Sequence, residues 1–103
     1  MTDVALAMTV EFTPAPGRAA ELRAALLDVV APTRAEDGCL LYQLHEDVAD
    51  PDLLAFYEIW ASPAHHAAHG ATPHITALQA RLPELLATPP RVRRLHAIDP
   101  EPS

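Results

Sequence analysis

The chain has 103 residues, with seven basic residues (all arginine), fourteen acidic residues, six histidines and a single cysteine. That length makes one domain, able to bury roughly two-thirds of its unfolded surface without a disulfide or structural zinc, and one cysteine could build neither internally. A formal charge of −7 argues against nucleic-acid binding, which needs a basic patch. No apolar run approaches the ~18 residues of a membrane span. The first twelve residues carry an acid and no basic segment, unlike a secretory signal, so the expected compartment is the cytoplasm.

From Val4 to Thr13 the apolar residues alternate. Val4, Leu6, Met8, Val10 and Phe12 share one face, the period of a strand. Thr13–Gly17, with two prolines, breaks it. From Arg18 the period changes: Leu22, Ala25, Leu26 and Val29 form one helical stripe. Pro32 would clash with the carbonyl of Asp28, so the helix ends or kinks there. Gly38 is a left-handed stop.

Cys39–Glu46 reads as a second strand with Leu40, Tyr42 and Leu44 on one face, and Leu53–Trp60 as a third, apolar on both faces. Asp47–Asp52 joins them in hairpin fashion. Ser62-Pro63 is a helix start, a capping hydroxyl followed by proline at the first helical position. Ala64–His69 is then a short helix closed by Gly70. Thr72-Pro73 repeats the start signal. Ile75, Leu78, Leu82 and Leu85 give another stripe, interrupted by Pro83, and Arg91–Ile98 is a final strand.

Strand, helix, strand, strand, broken helix, strand is the split βαβ order of an α+β, ferredoxin-like fold with a four-stranded antiparallel sheet. Residues 1–98 form the domain and 99–103 a frayed tail. Two helical layers cover only one sheet face, so the other is expected to meet a second copy in a homodimer.

The residues able to do chemistry cluster between 39 and 74: Gly38-Cys39 and Tyr42; Tyr57-Glu58-Ile59-Trp60; His65, His66, Ala68 and His69; Thr72-Pro73-His74. In that order they resemble the antibiotic biosynthesis monooxygenase domain family. The resemblance implies a ferredoxin-like protomer, a dimer whose sheets form an α+β barrel, and a pocket between sheet and helices. It further implies oxidation of a small quinol- or anthrone-like aromatic by dioxygen, with neither metal nor flavin as cofactor. Haem-degrading relatives on this fold use an asparagine on the first strand, and this chain contains no asparagine.

Trp60 reads either as a core aromatic or as a pocket wall whose indole N–H bonds a ligand. His69 and His74 read either as helix-end packing or as candidate general bases, since imidazole titrates near neutrality. Phe56 and Leu82 are expected as apolar walls of the substrate pocket. Glu58 is expected to be buried in an ion pair with Arg91, Arg93 or Arg94, and Tyr42 to be a supporting aromatic. Cys39 reads as a small buried hydrophobe. His65 and His66 read as solvent-facing, because no neighbouring acid completes a metal set with His69. The alternative to catalysis is a dimeric module that binds a small molecule without turning it over.

Overall fold

A computed structural model describes residues 5–99; Val4 and most of the expected tail lie outside that range. The elements are β1 (Leu6–Phe12), α1 (Ala19–Asp28), α2 (Val30–Arg34), β2 (Cys39–Glu46), β3 (Leu54–Trp60), α3 (Pro63–Gly70), α4 (Pro73–Leu85) and β4 (Arg91–Leu95). The four strands form one sheet in the order β2-β3-β1-β4 with every neighbouring pair antiparallel. This is the ferredoxin-like α+β arrangement expected from the element order.

Local chemistry accounts for the breaks. Asp28 ends α1 because Pro32 has no N–H to return to its carbonyl. Pro32 then sits in the first turn of α2, where a missing N–H costs nothing. Gly38 has φ +79°, and a Cβ there would overlap the His65 ring. Glycine is therefore demanded twice at this turn, by backbone and by packing.

Three expectations change. Leu40 does not share a face with Tyr42, because a bulge between Cys39 and Leu41 turns it outward, where it is 63% exposed. Pro83 does not interrupt its helix: α4 runs through it to Leu85, forgoing the bond to the Gln79 carbonyl that a proline cannot make. The last strand stops at Leu95 rather than Ile98.

The helix-facing side of the sheet carries Leu6, Met8 and Phe12 of β1 and Leu54, Phe56 and Trp60 of β3, all buried. Leu22, Leu26 and Leu85 close over them at zero exposure. The opposite face presents Tyr57, Ile59, Leu41 and Leu95 among Thr9, Arg93 and other polar groups, and no helix among the described residues covers it. No helix among the described residues is long and apolar enough to cross a membrane.

Candidate active site between the sheet and helices α3 and α4

The two helix starts place the histidines. Ser62 caps α3: its Oγ accepts from the His65 backbone N–H (3.3 Å) and bonds His65 Nδ1 (2.8 Å). His65 Nε2 lies 3.3 Å from Asp37 Oδ2, and the Ala61 N–H donates to the Gly38 carbonyl (2.8 Å). These contacts tie the Glu36-Asp37-Gly38 turn to the start of α3. Thr72 makes no side-chain cap on α4. Its hydroxyl turns back and donates to the His69 carbonyl (2.8 Å), satisfying an end carbonyl of α3 and locking the junction between the two helices.

That framework brings three side chains together. Glu36 Oε2 lies 2.8 Å from His69 Nδ1 and 2.8 Å from His74 Nε2. All three are largely withdrawn from solvent, with side-chain exposures of 13%, 7% and 22% for Glu36, His69 and His74. An ionised carboxylate only accepts. Each imidazole therefore donates from the nitrogen facing Glu36, so in a neutral His69 ring the lone pair is on Nε2.

His69 also lines a cavity of about 280 Å³ between the sheet and α3/α4. Tyr42, Phe56 and Glu58 supply its sheet wall, Leu78 and Leu82 its α4 wall, and His66 and Arg94 its polar rim. Tyr42 stacks on Phe56 with ring centroids 4.3 Å apart. A larger hollow of about 510 Å³ adjoins it through Gln79, Leu82 and Pro90 but has no titratable side chain on its walls. The smaller one is the candidate site, because ionisable groups and aromatic rings converge there.

Residues 5–81 match the model of the family described as antibiotic biosynthesis monooxygenase. The chain belongs to that family. A Mycobacterium tuberculosis protein named "Putative monooxygenase Rv0793" is 37% identical over 94 residues, covering 91% of this chain and 92% of that protein. The solved structure of Rv0793 matches with a TM-score of 0.88 at 34% identity, over 93% of this chain and 97% of that one. The crystal structure of PA3566 from Pseudomonas aeruginosa matches with a TM-score of 0.90 at 32% identity, over 96% and 99% of the two chains.

Within this monooxygenase-family fold, the residues singled out from sequence divide in two. His69, Phe56, Leu82, Glu58 and Tyr42 line the cavity. Trp60 and His74 stand behind it. Trp60 is completely buried, packed against His69 at 4.6 Å between centroids, and its indole N–H donates to Glu58 Oε1 (2.9 Å). That bond replaces two expectations. The indole N–H is already committed and is not free for a ligand, and Glu58 is held by Trp60 rather than by an arginine. Arg94 does share the helix-facing side with Glu58, but Met8 stands between them in the sheet.

Two participants escaped the sequence reading. Glu36 is the acid that joins His69 and His74, from 33 and 38 residues away. His66 is half-buried on the cavity wall rather than solvent-facing. Burial, followed by His69 and Arg94 nearby, lowers its pKa, so it is a neutral imidazole at physiological pH. Burial likewise pushes the Glu58 carboxyl up, against the opposing pull of the Trp60 N–H and His69. The Tyr42 phenol is raised by burial and then by Glu58, which keeps it protonated. Cys39 is partly buried, and its thiol is raised by burial and by Glu36 and Glu58, so it is a poor nucleophile.

Proposed function

We propose that the chain is a monooxygenase that oxidises a small acidic aromatic, of quinol or anthrone type, with dioxygen and no cofactor. The observation that carries this reading is His69: it lines the cavity while Glu36 holds its Nδ1 at 2.8 Å. A carboxylate that fixes the tautomer and orientation of an imidazole makes the opposite nitrogen a directed base.

His69 removes the acidic proton of the substrate. The Glu36 carboxylate compensates the imidazolium that forms. Phe56 and Tyr42 pack against the substrate ring, and the apolar walls keep water from the anion. The anion gives one electron to dioxygen, and the radical pair joins at a ring carbon bearing hydrogen. The peroxide anion takes the proton back from His69, and the resulting hydroperoxide loses water to leave a carbonyl. One oxygen atom ends in the product and the other in water, and all four electrons come from the substrate. Family membership supports the reaction class, and the name of Rv0793 points the same way.

An oxygen electrode tests the reading, with quinols and anthrones supplied in turn to the parent protein and to His69→Ala. Consumption of one dioxygen per product, falling by about 10²–10⁴ in kcat in the variant, is the expected result. Tight binding of these compounds with no oxygen uptake would instead make the protein a binding module.

The functional unit in this reading is a homodimer paired through the open sheet face around Tyr57, Ile59 and Leu95. Tyr57 and Leu95 are 39% and 45% exposed in the single chain. An obligate interface of more than roughly 2,000 Å² in total is expected. A monomer by light scattering at micromolar concentration would overturn the pairing.

A further inference from the structure

The three groups that meet at Glu36 have a second capability. We propose that Glu36, His69 and His74 form a binding site for one zinc-class divalent metal ion, and that an ion bound there switches His69 off as a base.

The donor set is right for such an ion. Glu36 Oε2, His69 Nδ1 and His74 Nε2 all lie within 4.8 Å of one another. Tetrahedral zinc with N and O ligands at 2.0–2.2 Å sets its donors about 3.4 Å apart. Each imidazole nitrogen now sits 2.8 Å from the shared oxygen. Accepting an ion therefore needs each of these contacts to open by about 0.6 Å, while the two imidazole nitrogens, within 4.8 Å of each other, settle at the same spacing. Two imidazoles and one carboxylate favour Zn²⁺, Co²⁺, Ni²⁺ or Cu²⁺ over Mg²⁺ and Ca²⁺, which prefer oxygen. Three protein ligands leave a fourth position for water.

The scaffold is preset. The Thr72 hydroxyl bonded to the His69 carbonyl fixes the spacing of the two histidines. The His65 contacts with Ser62 and Asp37 hold the Glu36 turn against α3.

The consequence for His69 follows from proton placement. A metal bound at Nδ1 takes the lone pair there, so the ring proton must move to Nε2. The nitrogen that would accept the substrate proton is then occupied. This part rests on His69 being the base, whereas the binding itself does not.

Titration of the full chain with Zn²⁺ by calorimetry, and with Co²⁺ by visible absorption, tests the site directly. One ion per chain is expected, with the intense d–d bands of four- or five-coordinate cobalt and no response to Mg²⁺. Glu36→Gln and His74→Ala should each weaken binding by about 100-fold or more, the upper end for disturbing a metal shell. His45→Ala, exposed on the face of the sheet opposite the cluster, should leave it unchanged. No stoichiometric binding by the parent, or binding that survives in both Glu36→Gln and His74→Ala, overturns the site. Because His74 lies partly exposed at the surface, its variant tests the site even if Glu36→Gln unfolds. Where the oxygen-uptake activity is found, saturating Zn²⁺ should abolish it; full activity with the ion bound would overturn the switch and the base role of His69 while leaving the site standing.

Discussion

Replacing Glu36 by Gln separates a fixed imidazole from a merely buried one. Glu36 Oε2 accepts from His69 and from His74, both at 2.8 Å. Hydrogen bonds to a charged partner contribute about 1.5–3 kcal/mol net, and neutral ones about 0.5–1.5. Glutamine keeps the shape but offers one accepting and one donating atom. Its amide oxygen carries two lone pairs and, standing where Oε2 stands, still accepts from both rings. Both bonds become neutral, a loss of about 1–1.5 kcal/mol each. Relief of the carboxylate's desolvation returns part of this, leaving a destabilisation of about 2 kcal/mol. For a domain of this size that lowers Tm by about 8–16 °C. Thermal melts by circular dichroism at pH 7.5 give the stability change. Long-range ¹H–¹⁵N spectra of the histidines give the tautomers. The expected result is a lower Tm with His69 Nδ1 and His74 Nε2 both still protonated. A variant melting within ~2 °C of the parent would refute the carboxylate's role.

Gly38→Ala should cost more than 3 kcal/mol, because a positive φ costs about 1–2 kcal/mol for alanine and the new Cβ meets the His65 ring; denaturant melts check it, and a loss below about 1 kcal/mol would show that the turn relaxes freely. Trp60→Phe should destabilise by about 1–3 kcal/mol, the cost of stripping a buried acceptor of its donor, and raise the Glu58 pKa further, since the Trp60 N–H is the largest influence holding it down; ¹³C NMR titration of the carboxyl reads the shift, and an unchanged or lower value counts against the bond. Arg94→Gln should raise the His66 pKa, since Arg94 is one of the groups that lower it; imidazole NMR titration settles the direction. The sign for stability follows. A folded-state pKa below the unfolded one means the unfolded chain binds more protons, so the His66 contribution is present above the unfolded value near 6.5 and is lost as pH falls through the folded one. Arg94→Gln should therefore shallow the acid-side loss of stability, and a steeper loss would contradict the reasoning.

What could be read in the chain is what local chemistry controls. The strict alternation of Leu6, Met8, Val10 and Phe12 fixed a strand because side-chain direction has period two. Ser62-Pro63 and Gly38 marked boundaries because capping and positive φ are properties of a few adjacent residues. His69, Phe56 and Leu82 were found because their elements were found. Leu40 was misplaced because a bulge inserts one residue into the pairing with β3, and alternation carries no sign of it. Trp60 was given a free N–H because its acceptor lies two residues along the same strand and same face, a neighbour the ion-pair expectation for Glu58 concealed. Glu36 had no cue at all: its surroundings read as the ragged end of a helix, and its partners are 33 and 38 residues away. The candidate base illustrates the difference. That a histidine stands at position 69 is a local fact, and so is its place at the end of a short helix. Which of its nitrogens holds the proton is decided by an acid on another element, brought there by a glycine turn and the His65 ring packed on it. Whether the ring can accept a proton or a metal ion is thus a property of the assembled fold, and no window of sequence around His69 contains it.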